Sequence, residues 1–345
     1  MNAPNAAPRP LARDTVTTEG GRLSYLHTGP ADGPLVVLVH GWPATAITWA
    51  PQIDALATAG FRVLAPDTRG YGRSMVPTEP SAYALRHLVD DLRTLLESTS
   101  RTSATWIGHD WGASIVWALA AHHPELCDGV AALAVPYRTL DRGLAAMLDL
   151  VDRETYPADI LPNAQFDYMA FYETSAEQVT AQFDADPARM VSALYRPGNP
   201  AVLSGPSPRA YVSRDGGWFG GPDAMPDLPR DPAMLTDEIY DDLVETLSAN
   251  GFWGPNCYYL NHADNRRYSD ESVHGGRLEM PVLFVEARYD SAADITRSRM
   301  AEPMRQHCTD LTEVSLAAGH WVNLEKAAEV NTALLSWLGD HVIPQ

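Results

Sequence analysis

Gly108-His109-Asp110-Trp111-Gly112 is the stretch on which the reading of the fold turns. It follows a short apolar run, Ala104-Thr105-Trp106-Ile107, which reads as a strand, and it precedes residues 113–121, which have the composition of a buried helix. A strand therefore turns abruptly into a helix at Asp110. Glycines two positions before and two after it are what a strained strand-turn-helix needs, because the backbone approaches itself too closely there for larger side chains. The pattern is a nucleophile elbow with a carboxylate in place of serine. A carboxylate held at that turn, just before the first free N–H groups of a helix, is expected to stay ionised and exposed and so to attack an electrophilic carbon. A glycine-rich turn with an N-capping aspartate would share the same residues, and the other strand ends decide between the two.

Outward from the elbow, strand and helix patterns alternate. Toward the N-terminus, residues 15–28 alternate as two strands turning at Gly20-Gly21. Leu35-Val36-Val37-Leu38-Val39 is a continuous apolar run, as expected of a central parallel strand covered on both faces, and it ends at His40-Gly41-Trp42-Pro43. An amphipathic helix is expected over 47–59, a strand over 61–65, and a glycine-rich loop at Asp67-Thr68-Arg69-Gly70-Tyr71-Gly72-Arg73-Ser74. Leu85, Leu88, Leu92 and Leu95 recur at helical spacing within 82–97. A strand over 129–135 follows the elbow helix. From about residue 140 the pattern changes to helical stretches at 176–182, 187–195 and 237–249 and a loop-like run, 197–232, with eight prolines. Alternation then resumes with a strand at 281–286, a helix over 293–305, a strand at 311–316 and a closing helix over 325–338. The expected architecture is α/β, a doubly wound, mostly parallel sheet with an inserted helical lid. In domain terms this gives a loose tail at 1–14, a first core part at 15–139, a lid at 140–277 and a second core part at 278–345.

Composition narrows the function classes. At 345 residues with 45% hydrophobic content, the chain can bury one large core with an inserted subdomain. No apolar run approaches the roughly 20 residues of a transmembrane helix, and the first ten residues lack the apolar segment of a secretory signal, so a cytoplasmic address and no membrane partner are expected. Cys127, Cys257 and Cys308 are widely separated without metal-type spacing and read as ordinary thiols. A formal net charge of −19 repels nucleic-acid phosphates and anionic lipid, which sets nucleic acid aside and favours neutral or cationic small molecules.

An elbow nucleophile needs a base and an oxyanion site, and in doubly wound sheets these gather at the carboxyl ends of strands. The strand ending at Glu286 leads into Ala287-Arg288-Tyr289-Asp290, and the next leads to Ala318-Gly319-His320-Trp321. The chain order is thus nucleophile, acid, histidine. Asp294 is the rival acid and ranks second because it falls inside the expected helix. At the earlier strand end, the backbone N–H of Trp42 is one candidate donor to an oxyanion, and that of Trp111, just after the nucleophile, is the other.

Taken together, His40-Gly41-Trp42-Pro43, the 67–74 loop, Gly108-His109-Asp110-Trp111-Gly112 and Gly319-His320-Trp321 resemble the epoxide hydrolases of the α/β-hydrolase superfamily, over nearly the whole chain from Gly21 to Leu338. That resemblance implies two lid tyrosines whose hydroxyls hold the epoxide oxygen and bind substrate together with Trp42 and Trp111. Phe166-Asp167-Tyr168 looks like the first motif and Gly254-Pro255-Asn256-Cys257-Tyr258-Tyr259 like the second, which carries the roles onto Tyr168 and Tyr259, with Tyr172 and Tyr258 as fallbacks. The chain departs from the family where Glu173-Thr174-Ser175-Ala176 replaces a Gln-x-Pro-Gly segment and where Leu260 replaces an arginine. The resemblance further implies a small neutral epoxide as substrate, a covalent ester on Asp110, activation of water by His320 with Asp290, release of a vicinal diol, no metal and no other cofactor. A homodimer is compatible with it.

Haloalkane dehalogenases share the aspartate elbow and are the competing reading. A halide leaves without a proton, so they would need indole or amide N–H donors, for which Trp111, Trp218 and Trp253 are the available side chains. A third reading, a fold that only binds, would be favoured by loss of any one of Asp110, Asp290, His320 or the lid tyrosines, and none is lost.

Overall fold

A run of five apolar residues must be covered on both faces, and the structure places it at the heart of the sheet. The computed structural model describes residues 11–342. Its strands are β1 (Ala12–Thr18), β2 (Gly21–Thr28), β3 (Leu35–Val39), β4 (Arg62–Pro66), β5 (Ala104–His109), β6 (Cys127–Leu133), β7 (Leu278–Ala287) and β8 (Cys308–Leu316). They form one sheet in the order β1-β2-β4-β3-β5-β6-β7-β8, and every residue of β3 and of β5 is buried. β1 pairs antiparallel with β2 and β2 with β4, while all pairs from β4 to β8 are parallel. β1 begins at Ala12, inside the stretch expected to be a loose tail, because its residues pair one for one with β2 from Ala12↔His27 to Thr18↔Gly21. Residues 1–10 lie outside the described residues.

Helices cover both faces: α1 (Ala50–Thr58), α2 (Leu85–Ser98) and α3 (Trp111–His122) in the first half, and α13 (Ala327–His341) at the end. The leucines at helical spacing in α2 are all buried, each contributing about 1.5–3 kcal/mol of apolar burial. α3 is buried along almost its whole length, from Trp111 to Ala121. The chain runs from β3 outward to β4 and then crosses to β5 on the other side of β3, so the strand order reverses there, and ligands bind at such a crevice. The register Val39↔Gly108 sets the ends of β3 and β5 side by side.

The segment between β6 and β7 contains no strand among the described residues. It holds α4 (Leu144–Leu148), α5 (Asp167–Asp184), α6 (Pro187–Leu194), α7 (Val212–Asp215), α8 (Asp237–Asn250), α9 (Trp253–Cys257) and α10 (His262–Asp270). α5 starts nine residues before the helix expected at 176, and its early positions Tyr168, Phe171 and Tyr172 are buried at i, i+3 and i+4 spacing. It bends at Ser175, where φ −141 and ψ 31 leave the helical region. The bend falls within Glu173-Thr174-Ser175-Ala176, and the Thr174 hydroxyl bonds back to the carbonyls of Ala170 at 3.3 Å and Phe171 at 3.2 Å, an arrangement that bends helices.

After β7 the expected helix over 293–305 does not form: residues 290–300 are turns and bends, and only α11 (Glu302–His307) is helical, followed after β8 by the short α12 (Val322–Glu325). Side-chain carboxylates take the amides a helix would use. Asp290 accepts from Ala292 N at 2.9 Å, and Asp294 accepts from Thr296 N at 2.9 Å and Arg297 N at 3.1 Å.

Two glycines give a direct test of how tightly the elbow is packed. A Cβ on Gly112 would lie 2.0 Å from the carbonyl oxygen of Val39, whereas Gly339, inside α13, has nothing within 4 Å. Gly112→Ala should therefore cost about 3 kcal/mol in urea unfolding, and Gly339→Ala should be neutral or stabilising by up to about 1 kcal/mol. Equal midpoints for the two variants would contradict the packing described.

Candidate active site

Asp110 sits on the one residue between β5 and α3, with φ 54 and ψ −122, a conformation that non-glycine residues rarely adopt. Its carboxylate does not cap α3. It is instead turned toward the end of β3, where the N–H of Trp42 donates to Oδ1 at 2.7 Å, and the Trp111 N–H also favours its charged form. Gly41 makes the approach possible, since a Cβ there would lie 2.4 Å from Asp110 Oδ1. The loop carrying Trp42 is fixed by His40: Nε2 accepts from Thr68 N at 3.0 Å, so Nδ1 carries the proton and donates to Gly41 O at 2.9 Å.

The expectation that Asp110 is exposed is corrected by the structure, which leaves it 8% accessible beneath the helical insertion. Burial raises its carboxyl pKa, and His320 and the two backbone N–H groups act in the opposite direction. The register Ala287↔Leu316 brings the loops after β7 and β8 together. His320 Nδ1 lies 2.6 Å from Asp290 Oδ2, and since an ionised carboxylate only accepts, Nδ1 carries the proton. Nε2 then faces Asp110 Oδ2 at 3.5 Å. Burial alone would raise the Asp290 carboxyl, but His320, Arg209 and the Ala292 N–H outweigh it and hold it well below the usual carboxylate range. Burial alone would lower the His320 imidazole, but Asp290 and Asp110 outweigh it and raise it. Next to it, His109 is driven down to about 3 by burial and by His320, so it is neutral, and its Nε2 lies 2.7 Å from His320 O. Asp294, expected inside a helix, lies outside one and pairs with Arg297 at 2.5 Å.

Asp110, Asp290, His320, Trp42, Tyr168 and Tyr259 all line one cavity of about 220 Å³. Burial raises the phenol pKa of both tyrosines, so both hydroxyls are protonated donors at ordinary pH. Their rings meet edge to face at 5.7 Å. The fallback tyrosines lie elsewhere. Tyr258 donates to Arg69 O at 2.9 Å and Thr68 Oγ1 at 3.0 Å, away from the cavity, and Tyr172 is fully buried behind the lining. Trp111 contributes its backbone N–H, but its ring packs on Tyr259 at 5.2 Å and is not among the lining residues.

Residues 34–214 match the α/β-hydrolase fold family. The chain is 32% identical to epoxide hydrolase A of Mycobacterium tuberculosis over 338 residues, covering 94% of this chain and 96% of that protein. The chain belongs to the epoxide hydrolases of the α/β-hydrolase fold. To bifunctional epoxide hydrolase 2 of Sus scrofa it is 31% identical over 92% of its length, but it spans only 53% of that longer protein. The crystal structure of epoxide hydrolase A from Mycobacterium thermoresistibile superposes with a TM-score of 0.78 at 31% identity, covering 96% of this chain and 98% of that one. Among the described residues, no helix is long and apolar enough to cross a membrane.

Two features of this epoxide hydrolase site were not read from the sequence. Arg209 lines the cavity and pairs with Asp290 Oδ1 at 3.4 Å, and Glu325 Oε2 accepts from both Gly198 N at 2.9 Å and Gly319 N at 2.7 Å, tying the insertion to the loop that carries His320. Arg209 stands in the proline-rich run, where no periodicity marks its position. Glu325, at the end of α12, is six residues past Gly319 with no motif to flag it.

The electrostatics give a direct measurement. Since Asp110 helps to raise the His320 pKa, removing its charge should lower it. The His320 imidazole of Asp110→Asn, followed by ¹⁵N NMR, should titrate at lower pH than in the wild-type protein. A midpoint that stays or rises would show that Asp110 does not face the imidazole.

Proposed function

We propose that this epoxide hydrolase opens a small epoxide through a covalent ester on Asp110 and releases a vicinal diol. The observation that carries the reading is the division of the Asp110 carboxylate: Oδ1 is held by Trp42 N–H at 2.7 Å, and Oδ2 is left facing His320 and the cavity. Oδ2 attacks a ring carbon while Tyr168 and Tyr259 hydrogen-bond the ring oxygen. The C–O bond breaks, and one tyrosine passes its proton to the alkoxide. The ester carbonyl is then Cγ–Oδ1, held by the Trp42 N–H, with the Trp111 N–H as the second donor. Neutral His320, held by Asp290, takes a proton from a water that attacks Cγ, and the negative charge that builds on Oδ1 is met by those two donors. Collapse expels Oδ2 with the substrate carbon, the protonated His320 gives its proton to that oxygen to complete the diol, and the proton left on the new Asp110 carboxyl restores the tyrosine hydroxyl.

The 140–277 insertion serves as the lid, since it supplies Tyr168 and Tyr259 and buries the carboxylate. The halide reading is weaker. Trp253 spends its indole N–H on Thr78 O at 2.9 Å, away from the cavity, which leaves Trp218 as the only indole of the three candidates among the lining residues.

Three outcomes test the proposal. In His320→Gln, alkylation should proceed and hydrolysis stall, so intact mass spectrometry should show the protein heavier by one substrate; turnover near the wild-type rate would remove His320 from its role. Tyr168→Phe and Tyr259→Phe each delete one hydrogen bond to a developing alkoxide, worth roughly 2–3 kcal/mol, so stopped-flow alkylation should slow about 30- to 200-fold. Tyr172→Phe and Tyr258→Phe should do far less, and the reverse ranking would displace the tyrosine assignment. In a single turnover in ¹⁸O-water with enzyme in excess, the diol should be unlabelled and the Asp110 peptide labelled. Labelled diol would instead mean direct attack by water and would end the covalent reading.

A further inference from the structure

We infer that Arg209 is a positioning residue for the Asp290–His320 pair, supplied to the core by the helical insertion, and that it holds the Asp290 carboxylate in the rotation that keeps one oxygen on the imidazole. The carboxylate divides its oxygens as Asp110 does. Oδ2 takes the His320 Nδ1 proton at 2.6 Å, while Oδ1 accepts from Ala292 N at 2.9 Å and from Arg209 Nη1 at 3.4 Å. The guanidinium cannot drift far, because the 3₁₀ turn that carries it, Pro208–Tyr211, is pinned to the same loop. Ser207 Oγ bonds Ser291 Oγ at 3.0 Å and accepts from Arg209 N at 3.3 Å, and Gln165 Nε2 reaches Ala292 O at 3.4 Å. The Arg209 side chain is 27% accessible and that of Asp290 1%, so the pair lies at the cavity wall and not in bulk solvent.

Placed there, the cation has a second consequence. The charged groups facing His320 are Asp290 and Asp110, which favour its protonated form, and Arg209, which opposes it, while His109 beside it is neutral. A general base must be neutral when water arrives, so a fixed cation beside the pair keeps the imidazole available at lower pH. Arg209 also faces Tyr168 and Tyr259, and its charge favours loss of a proton from Tyr168.

This inference rests on the proposed covalent route for its kinetic part but not for its titration part. In Arg209→Gln, the His320 midpoint followed by ¹⁵N NMR should rise, modestly because the guanidinium is partly screened, and Arg209→Lys should return it toward wild type. With styrene oxide as a neutral probe, the acid limb of the hydrolysis step in Arg209→Gln should move up with it, and alkylation should slow as well, because Tyr168 loses a charge that favours its proton loss. An unchanged His320 midpoint in a folded Arg209→Gln protein overturns the assignment, whatever the activity. A loss confined to alkylation or KM, or a fall in thermal midpoint with the acid limb in place, also overturns it, leaving Arg209 a substrate contact or a structural tie. If Arg209→Gln does not fold, Arg209→Met is the second neutral variant for the same titration. Failure of the wild-type protein to form an ester would sink the covalent route, while the titration would still decide on Arg209.

Discussion

A 2.7 Å hydrogen bond from the Trp42 amide to Asp110 Oδ1 is the constraint on which the rest of the site depends. It can form only if β3 and β5 are neighbours in parallel register and if position 41 has no side chain, and both hold. It also requires the aspartate backbone to sit in a strained conformation, which costs on the order of 1–3 kcal/mol and persists because the strand before it and the helix after it are both wholly packed. The strain aims the carboxylate across the sheet end, away from its own helix. The result is one oxygen fixed by the Trp42 amide and one facing His320.

Around that bond the structure manages charge in a largely buried space. Two buried carboxylates near one imidazole would be unstable if each were merely desolvated. Each is instead given donors: backbone amides for Asp110, and the imidazole, an amide and a guanidinium for Asp290. Burial thus acts in opposite directions on the site's function. It raises the phenol pKa values of Tyr168 and Tyr259, which keeps their hydroxyls protonated, and it would drive the carboxylates neutral if the donors were absent. The insertion covers that space, and it also carries Tyr168, Tyr259 and Arg209, which line the cavity.

The core was far more legible in the sequence than the insertion, for reasons that particular residues show. β3 and α2 carry apolar patterns that only a covered strand and an amphipathic helix satisfy. The helix expected over 293–305 failed because Asp290 and Asp294 spend their oxygens on nearby amides, a local competition that a hydrophobic pattern does not register. Likewise α5 began nine residues early because its first turns are aromatic and buried against other aromatic rings, a match made by partners far away in the chain.

What the sequence determined by itself was the chemistry available and the order in which it arrives: an aspartate at an elbow, an acid and a histidine after later strands, and aromatic pairs in a segment without strands. These were readable because each lies at a strand end or in a motif whose local backbone demands that residue. Only the tertiary structure decided which tyrosine of each pair reaches the cavity, that Asp110 is buried, and that Arg209 joins Asp290. Those outcomes depend on how helices from the insertion pack over the sheet, and packing is set by contacts between residues as far apart as 290 and 209, or 325 and 198, which no local pattern encodes.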